Sequence, residues 1–195
     1  MNRRNTLQAV LAVSAWSWAR VAHAQSTLES TALTPLLRTG GCVVMLRHAQ
    51  TVPGTGDPPN FNLGQCSTQR NLSDGGREQA KRMGQWFKAR GLRPVDVQSS
   101  AWCRCIDTAN LAFGQHTVLP ALNSFFENRS TEAFQTRQLR QRLQTIQAGQ
   151  FEVWITHQVN ISALTGESTA MGEALVIQAG ADGQPVQLLE RIGFS

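Results

Sequence analysis

The chain has 195 residues, 41% hydrophobic and 16% charged, with a formal net charge of +5. That balance excludes a disordered chain, and the length allows one domain with its own core. Arg3, Arg4 and Arg20 lie in an acid-free stretch over 1–24. They leave 15 basic against 13 acidic side chains in the remainder, too mild a surplus for a nucleic-acid binder without a basic stripe interleaved with aromatics.

The first 24 residues read as a cleavable export signal. Arg3-Arg4 give a positive start, Leu7 to Trp18 an apolar stretch, and Ala22-His23-Ala24 a small-x-small cleavage site. Arg20 and His23 interrupt it before the roughly 20 apolar residues of a membrane span, so an uncleaved anchor is the second reading and stable membrane insertion after cleavage is not expected. Residues 25–195 then form the mature domain, periplasmic or secreted. Four cysteines remain in it. In an oxidising compartment one disulfide is expected, pairing Cys66 with Cys103 or Cys105, because Cys103 and Cys105 lie too close together to bridge easily. No second ligand pair is spaced to make Cys103-x-Cys105 a metal site.

Thr27 to Arg38 reads as a first helix closed by Gly40-Gly41, and Cys42 to Leu46 as a strand buried on both faces. Thr51 to Gln69, rich in Gly and Pro, reads as a long functional loop. Ser73 caps a helix whose Ala80, Met83, Trp86 and Phe87 recur at helical spacing up to Gly91. Val95 to Gln98 is a second strand, Cys103 to Phe113 a helix ended by Gly114, and Thr117 to Leu122 a third strand. Glu132 to Ala148 is a polar-faced helix, and Phe151 to Thr156 a fourth buried strand. Ala174 to Gln178 and Val186 to Leu189 flank Asp182-Gly183, a hairpin signal. Trp86, Trp102 and Trp154 fit core packing. The alternation implies a three-layer α/β/α sandwich with a mostly parallel central sheet, whose site lies beyond the carboxyl ends of its strands.

Those ends carry the chemistry. Arg47-His48 follows the first strand, Arg104 the second, Glu127 the third, and His157 ends the fourth. Guanidiniums match phosphate oxygens with planar donors, and a neutral imidazole between them can attack phosphorus in line. The neighbouring positive charges favour the neutral ring.

Arg47-His48-Ala49-Gln50-Thr51 resembles the Arg-His-Gly-x-Thr signature of the histidine phosphatase superfamily, which includes the phosphoglycerate mutases. The resemblance continues through Leu72-Ser73, Gly76, Gln79-Ala80, Ser99-Ser100, Arg104, Asp107-Thr108-Ala109, Thr156-His157 and Asn160-Ile161. It implies a phosphoglycerate mutase-like fold and a phosphatase acting on a small-molecule phosphate ester with neither cofactor nor metal. His48 is then the phosphorylated nucleophile, and Arg47, Arg104 and His157 complete the phosphate pocket. Ala49 replaces the usual glycine, and Gln158 stands where glycine or alanine is usual.

A carboxyl must protonate the leaving group. Glu127 holds the position matching the family's glutamate, and Phe125-Phe126 could desolvate it; Glu132 and Asp57 are the alternatives. Thr51, Arg70 and Gln158 are possible substrate contacts. The compact stretch before His157 argues against a mutase. Phosphosugars of the cell envelope and phosphohistidine proteins are the substrate classes the resemblance brings, and a decayed site that only binds phosphate is the non-enzymatic alternative.

Overall fold

The computed structural model describes residues 32–194 apart from 55, 182 and 183. The export signal at 1–24, the start of the expected first helix, and the Asp182-Gly183 hairpin signal lie outside the described residues. Helix α1 covers residues 32–39. Strand β1 (Cys42–Arg47) follows, then α2 (Asp74–Ala89), β2 (Asp96–Ser99), α3 (Cys103–Phe113), β3 (Thr117–Val118), α4 (Glu132–Leu143), β4 (Phe151–Thr156), α5 (Gln158–Thr165), β5 (Glu173–Gln178) and β6 (Gln187–Gly193). Among the described residues, no helix is long and apolar enough to cross a membrane.

One six-stranded sheet runs in the order β3-β2-β4-β1-β5-β6. β3, β2, β4 and β1 are mutually parallel, whereas β5 is antiparallel to both β1 and β6. β1 and β4 occupy the centre and are buried almost throughout, as their continuous apolar runs require. Val43 and Met45 share a core cluster with Leu139 and Leu143 of α4 and Ile161 and Leu164 of α5, so these helices cover one face. Each fully buried aliphatic side chain contributes about 1.5–3 kcal/mol, and this packing rather than strand propensity holds the central strands. On the other side Phe87 of α2 stacks on Phe151, with ring centroids 6.2 Å apart.

Ser73 caps α2 by accepting from the Gly76 backbone N–H at 3.0 Å. Gly76 tolerates no side chain, because a Cβ there would stand 1.8 Å from the carbonyl oxygen of Gln50. Buried Gln79 uses its carbonyl to accept from the Gln50 N–H at 3.0 Å and its amide to donate to the Phe194 carbonyl at 2.8 Å. The Ser73–Gly76–Gln79 pattern thus seats α2 on the turn after β1.

Two expected elements are shorter than the sequence pattern suggests. The third strand is confined to Thr117–Val118, because Pro120 opens a 3-10 turn over Pro120–Leu122 and removes a ladder donor. Helix α4 stops at Leu143 instead of Ala148; the Thr145 hydroxyl takes the Arg142 carbonyl at 2.7 Å, and Gly149 turns the chain with φ +79.

Candidate active site

Strand register decides which side chains meet. Arg47 of β1 pairs with Thr156 of β4, and Ser99 of β2 with Ile155, so three strands end at one level. The residues immediately beyond are His48, His157 and Ser100. His48 also donates its backbone N–H to the Thr156 carbonyl at 3.0 Å, carrying the ladder one step past β1. The two imidazoles are consequently neighbours, with ring centroids 5.5 Å apart and planes at 64°.

Each ring has a defined tautomer. The Nδ1 of His48 lies 2.8 Å from the Ala49 carbonyl, which can only accept, so Nδ1 carries the proton and Nε2 keeps its lone pair. His157 is set the opposite way. Its Nδ1 lies 3.3 Å from Nη2 of Arg104, a pure donor, and its Nε2 lies 2.9 Å from the Ser100 hydroxyl. Nε2–H therefore donates to Ser100, whose hydroxyl donates in turn to Asn123 Oδ1 at 3.1 Å. Burial lowers the pKa of His48 to about 3, helped by the Arg104 charge, and pushes that of His157 well below the usual histidine value for the same reasons. Both rings are neutral at physiological pH.

A cavity of about 530 Å³ opens over these rings, lined by Arg47, Asp57, Arg70, Arg104, Trp102 and Glu127 among others. Arg47 donates Nη1 to the Thr169 carbonyl at 2.6 Å and approaches Gln158 Oε1 at 3.4 Å. Gln158 is itself held by the Thr169 N–H at 2.9 Å, so it props Arg47. Arg104 sits on α3 with its guanidinium 4.5 Å above the Trp102 ring and forms a buried ion pair with Asp57 at 2.9 Å. Among the described residues, the buried Nε–H groups of Arg47, Arg70 and Arg104 and the buried indole N–H of Trp102 find no acceptor. Native structures rarely leave several such donors in one place unless a ligand satisfies them. A tetrahedral oxyanion fits this set.

A matching model of the histidine phosphatase superfamily, branch 1, spans residues 43–179. The chain belongs to the histidine phosphatase superfamily. Membership supports a phosphatase hydrolase acting on a small phosphate ester. Solved structures of the same fold include the protein histidine phosphatase SixA complexed with tungstate, at 14% identity over 78% of this chain and 96% of that one, TM-score 0.51. A candidate alpha-ribazole-5'-P phosphatase from Escherichia coli matches at 18% identity over 79% and 98%, TM-score 0.54. An open reading frame product from Mycobacterium tuberculosis matches at 17% over 76% and 95%, TM-score 0.55. At these identities the likeness concerns the fold. No curated protein sequence matches the chain significantly.

The remaining sequence expectations fall in different places. Cys66 and Cys103 are joined by a disulfide, and the alternative partner Cys105 is a buried free thiol beneath His157. Glu127 lines the cavity from its rim but is exposed: Phe125 is buried while Phe126 is 71% exposed, so the aromatics do not enclose the carboxylate as the sequence had suggested. Thr51 is buried and is not among the residues lining this cavity; its hydroxyl points to the Met171 sulfur at 3.5 Å. Glu132 lies on α4, paired with Arg129 at 2.6 Å, also outside the cavity.

Sequence reasoning assigned no site role to Trp102, Ser100 and Asn123. The tryptophan pattern pointed to core packing, and Trp102 is indeed buried, but it also forms the cavity wall. Its position two residues before Arg104 was the available signal. For Asn123 nothing in the local sequence indicates that a side chain beyond β3 would reach back to Ser100.

Proposed function

We propose that this histidine phosphatase hydrolyses phosphate monoesters through a phosphohistidine on His48. The observation that carries the reading is the fixed His48 tautomer. With Nδ1–H committed to the Ala49 carbonyl, Nε2 is a neutral nucleophile in a cavity lined by three arginines whose Nε–H donors have no acceptor among the described residues. Arg47 and Arg104 bind the non-bridging oxygens. His157, set by Ser100, completes the pocket, and Gln158 acts by propping Arg47.

In the first half-reaction Nε2 attacks phosphorus as the ester oxygen departs with a proton. In the second, water loses a proton as it attacks the phosphohistidine and regenerates the neutral ring. Glu127, within the cavity lining, is the proposed carrier of that proton. Charge accumulating on the transferred group is met by guanidiniums, so the mechanism requires no metal.

The disulfide and the signal-like segment at 1–24 support a periplasmic or secreted protein, with phosphorylated sugars of the cell envelope as the substrates in reach. Rapid quench of the enzyme with a ³²P-labelled monoester should trap an acid-labile, base-stable phosphoenzyme that His48→Ala lacks. Phosphate binding without any trapped label or turnover would make the protein a binding module instead. Turnover lost in a chelator and restored by zinc would overturn the metal-free step. For export, the protein recovered from the cell envelope should begin at Gln25.

A further inference from the structure

Three arginines meet around the cavity, and each is anchored in the same manner. Arg47 gives Nη1 to the Thr169 carbonyl, Arg70 gives Nη1 to the Gly54 carbonyl, and Arg104 gives Nη1 to both Asp57 carboxylate oxygens at 2.9 and 3.1 Å. In all three the Nε–H is buried and has no acceptor among the described residues. Arg104 also directs Nη2 to His157 Nδ1 at 3.3 Å, so beyond these anchors what all three forks hold in reserve is the Nε–H. Arg47 and Arg104 belong to the sheet end and to α3, but Arg70 arrives on the loop after β1.

Asp57 links the loop arginine to the helix arginine. The Oδ1 that receives Arg104 also accepts the Arg70 backbone N–H at 2.8 Å. Its side chain is 8% exposed and that of Arg104 only 6%. The preceding residues are joined too: Gln69 Oε1 accepts the Cys103 N–H at 2.9 Å, and Cys103 carries the disulfide to Cys66. Arg70 is therefore tied beside Arg104 by a carboxylate, an amide and a covalent bond.

Resting on the phosphate-pocket reading above, we propose that Arg70 is a third phosphate-binding residue and that Asp57 is the positioning residue aligning it with Arg104. The site is thereby matched to a dianionic phosphate monoester and against a monoanionic diester. Three guanidiniums face one carboxylate, and both imidazoles are held neutral, leaving a surplus of two positive charges; Glu127 stands exposed at the rim, where water screens it. A monoester brings two charges and three non-bridging oxygens to these donors. A diester brings one charge and two such oxygens, leaving a buried guanidinium edge unsatisfied.

The test uses the full chain with its disulfide intact and titrates tungstate, a tetrahedral dianion, by calorimetry, so that binding is read without turnover. Arg70→Ala should weaken tungstate binding by at least about tenfold, and Arg70→Lys should recover less than half of that loss on a logarithmic scale because an ammonium lacks the fork. Asp57→Ala should weaken binding about threefold or more. Asp57→Asn should restore part of it, since an amide oxygen at the Oδ1 position still accepts from both arginines while the Oδ2 contact to Arg104 is lost. Wild-type affinity in Arg70→Ala, or in Arg70→Lys should the alanine variant not fold, would remove Arg70 from the pocket. Tighter binding in Asp57→Ala would show that the carboxylate obstructs the anion instead of aligning its ligands. Equal kcat/KM for p-nitrophenyl phosphate and bis(p-nitrophenyl) phosphate would overturn the charge match. Tungstate binding that depends on Arg70 in a wild type devoid of monoesterase turnover would leave this clamp intact and sink only the hydrolytic reading.

Discussion

The cavity has two halves built on different principles. His48, His157, Arg47 and Ser100 stand at the ends of hydrogen-bonded strands, where the β1–β4 and β2–β4 registers place them side by side. Asp57, Phe61 and Arg70 come from a loop that carries a 3-10 turn over Cys66–Thr68. That loop is held by side chains: the disulfide, Gln69 on the first turn of α3, Asp57 on Arg104, and Phe61 against Trp102 with ring centroids 4.5 Å apart. The sheet half rests on the ladder hydrogen bonds of buried strands, so displacing it is expected to disturb the core, whereas loosening the side-chain ties of the loop half is expected to leave the core folded. On the proposed reading, the chemistry belongs to the first half and recognition of the substrate to the second.

The largest expected effect removes the nucleophile from the sheet half. His48→Ala should reduce monoester turnover by at least about 10³-fold while thermal stability is kept or raised, because a buried, poorly solvated ring is being deleted. Steady-state kinetics beside a melting curve measures both, and residual turnover above a hundredth of wild type would mean that another group attacks.

Acid should attack the same half. His48 and His157 have pKa values depressed by burial, His48 to about 3, whereas an unfolded histidine titrates near 6.5. Below that value the unfolded chain takes up protons that the folded site refuses, so stability is full above pH 6.5 and declines toward pH 3. The limiting slope is about 1.4 kcal/mol per pH unit for each imidazole. Urea unfolding at pH 7, 5.5 and 4.5 should show this decline, and His48→Asn should make it shallower. With its pKa lowered by burial, His48 is expected to stay largely unprotonated across pH 5–8, so an acid limb of kcat/KM in that range would point to another group.

Cutting the disulfide probes the loop half. Cys66→Ser with Cys103→Ser should cost about 2–4 kcal/mol of stability for a bridge spanning 37 residues. Under native conditions the variant should raise KM several-fold more than it lowers kcat, because the loop carries binding groups. A matching drop in kcat with KM unchanged would place the loop in the chemical step and erase the distinction between the halves.

The effect that depends most on the leaving group concerns Glu127. Glu127→Gln should lower kcat/KM about 10–100-fold for alkyl or sugar phosphates and much less for p-nitrophenyl phosphate, whose leaving group needs no proton. Equal losses on both substrates would exclude it as the proton carrier.

Much of this was legible in the residues. The apolar runs of β1 and β4, the Ser73 cap and the glycine after α3 are local signals governed by burial, capping and backbone freedom, and the elements appear where those signals stand. His48 and His157 could be named because each follows a strand directly. The residue types at 47, 48, 104 and 157 also declare the chemistry whatever their surroundings. What lay outside that reading depended on pairs distant in sequence. Asp57 and Arg104 stand 47 residues apart, and Ser100 and His157 stand 57 apart. Thr51 turned to Met171, Glu127 stayed in solvent, and Arg70 swung inward, each according to what the rest of the chain placed beside it. Sequence alone marked most of the elements and nominated the candidate reactive groups, because propensity and chemical identity belong to a residue and its near neighbours. The tautomers, the depressed histidine pKa values and the company of Arg70 were decided only by tertiary structure, because orientation and desolvation belong to the space that folding encloses.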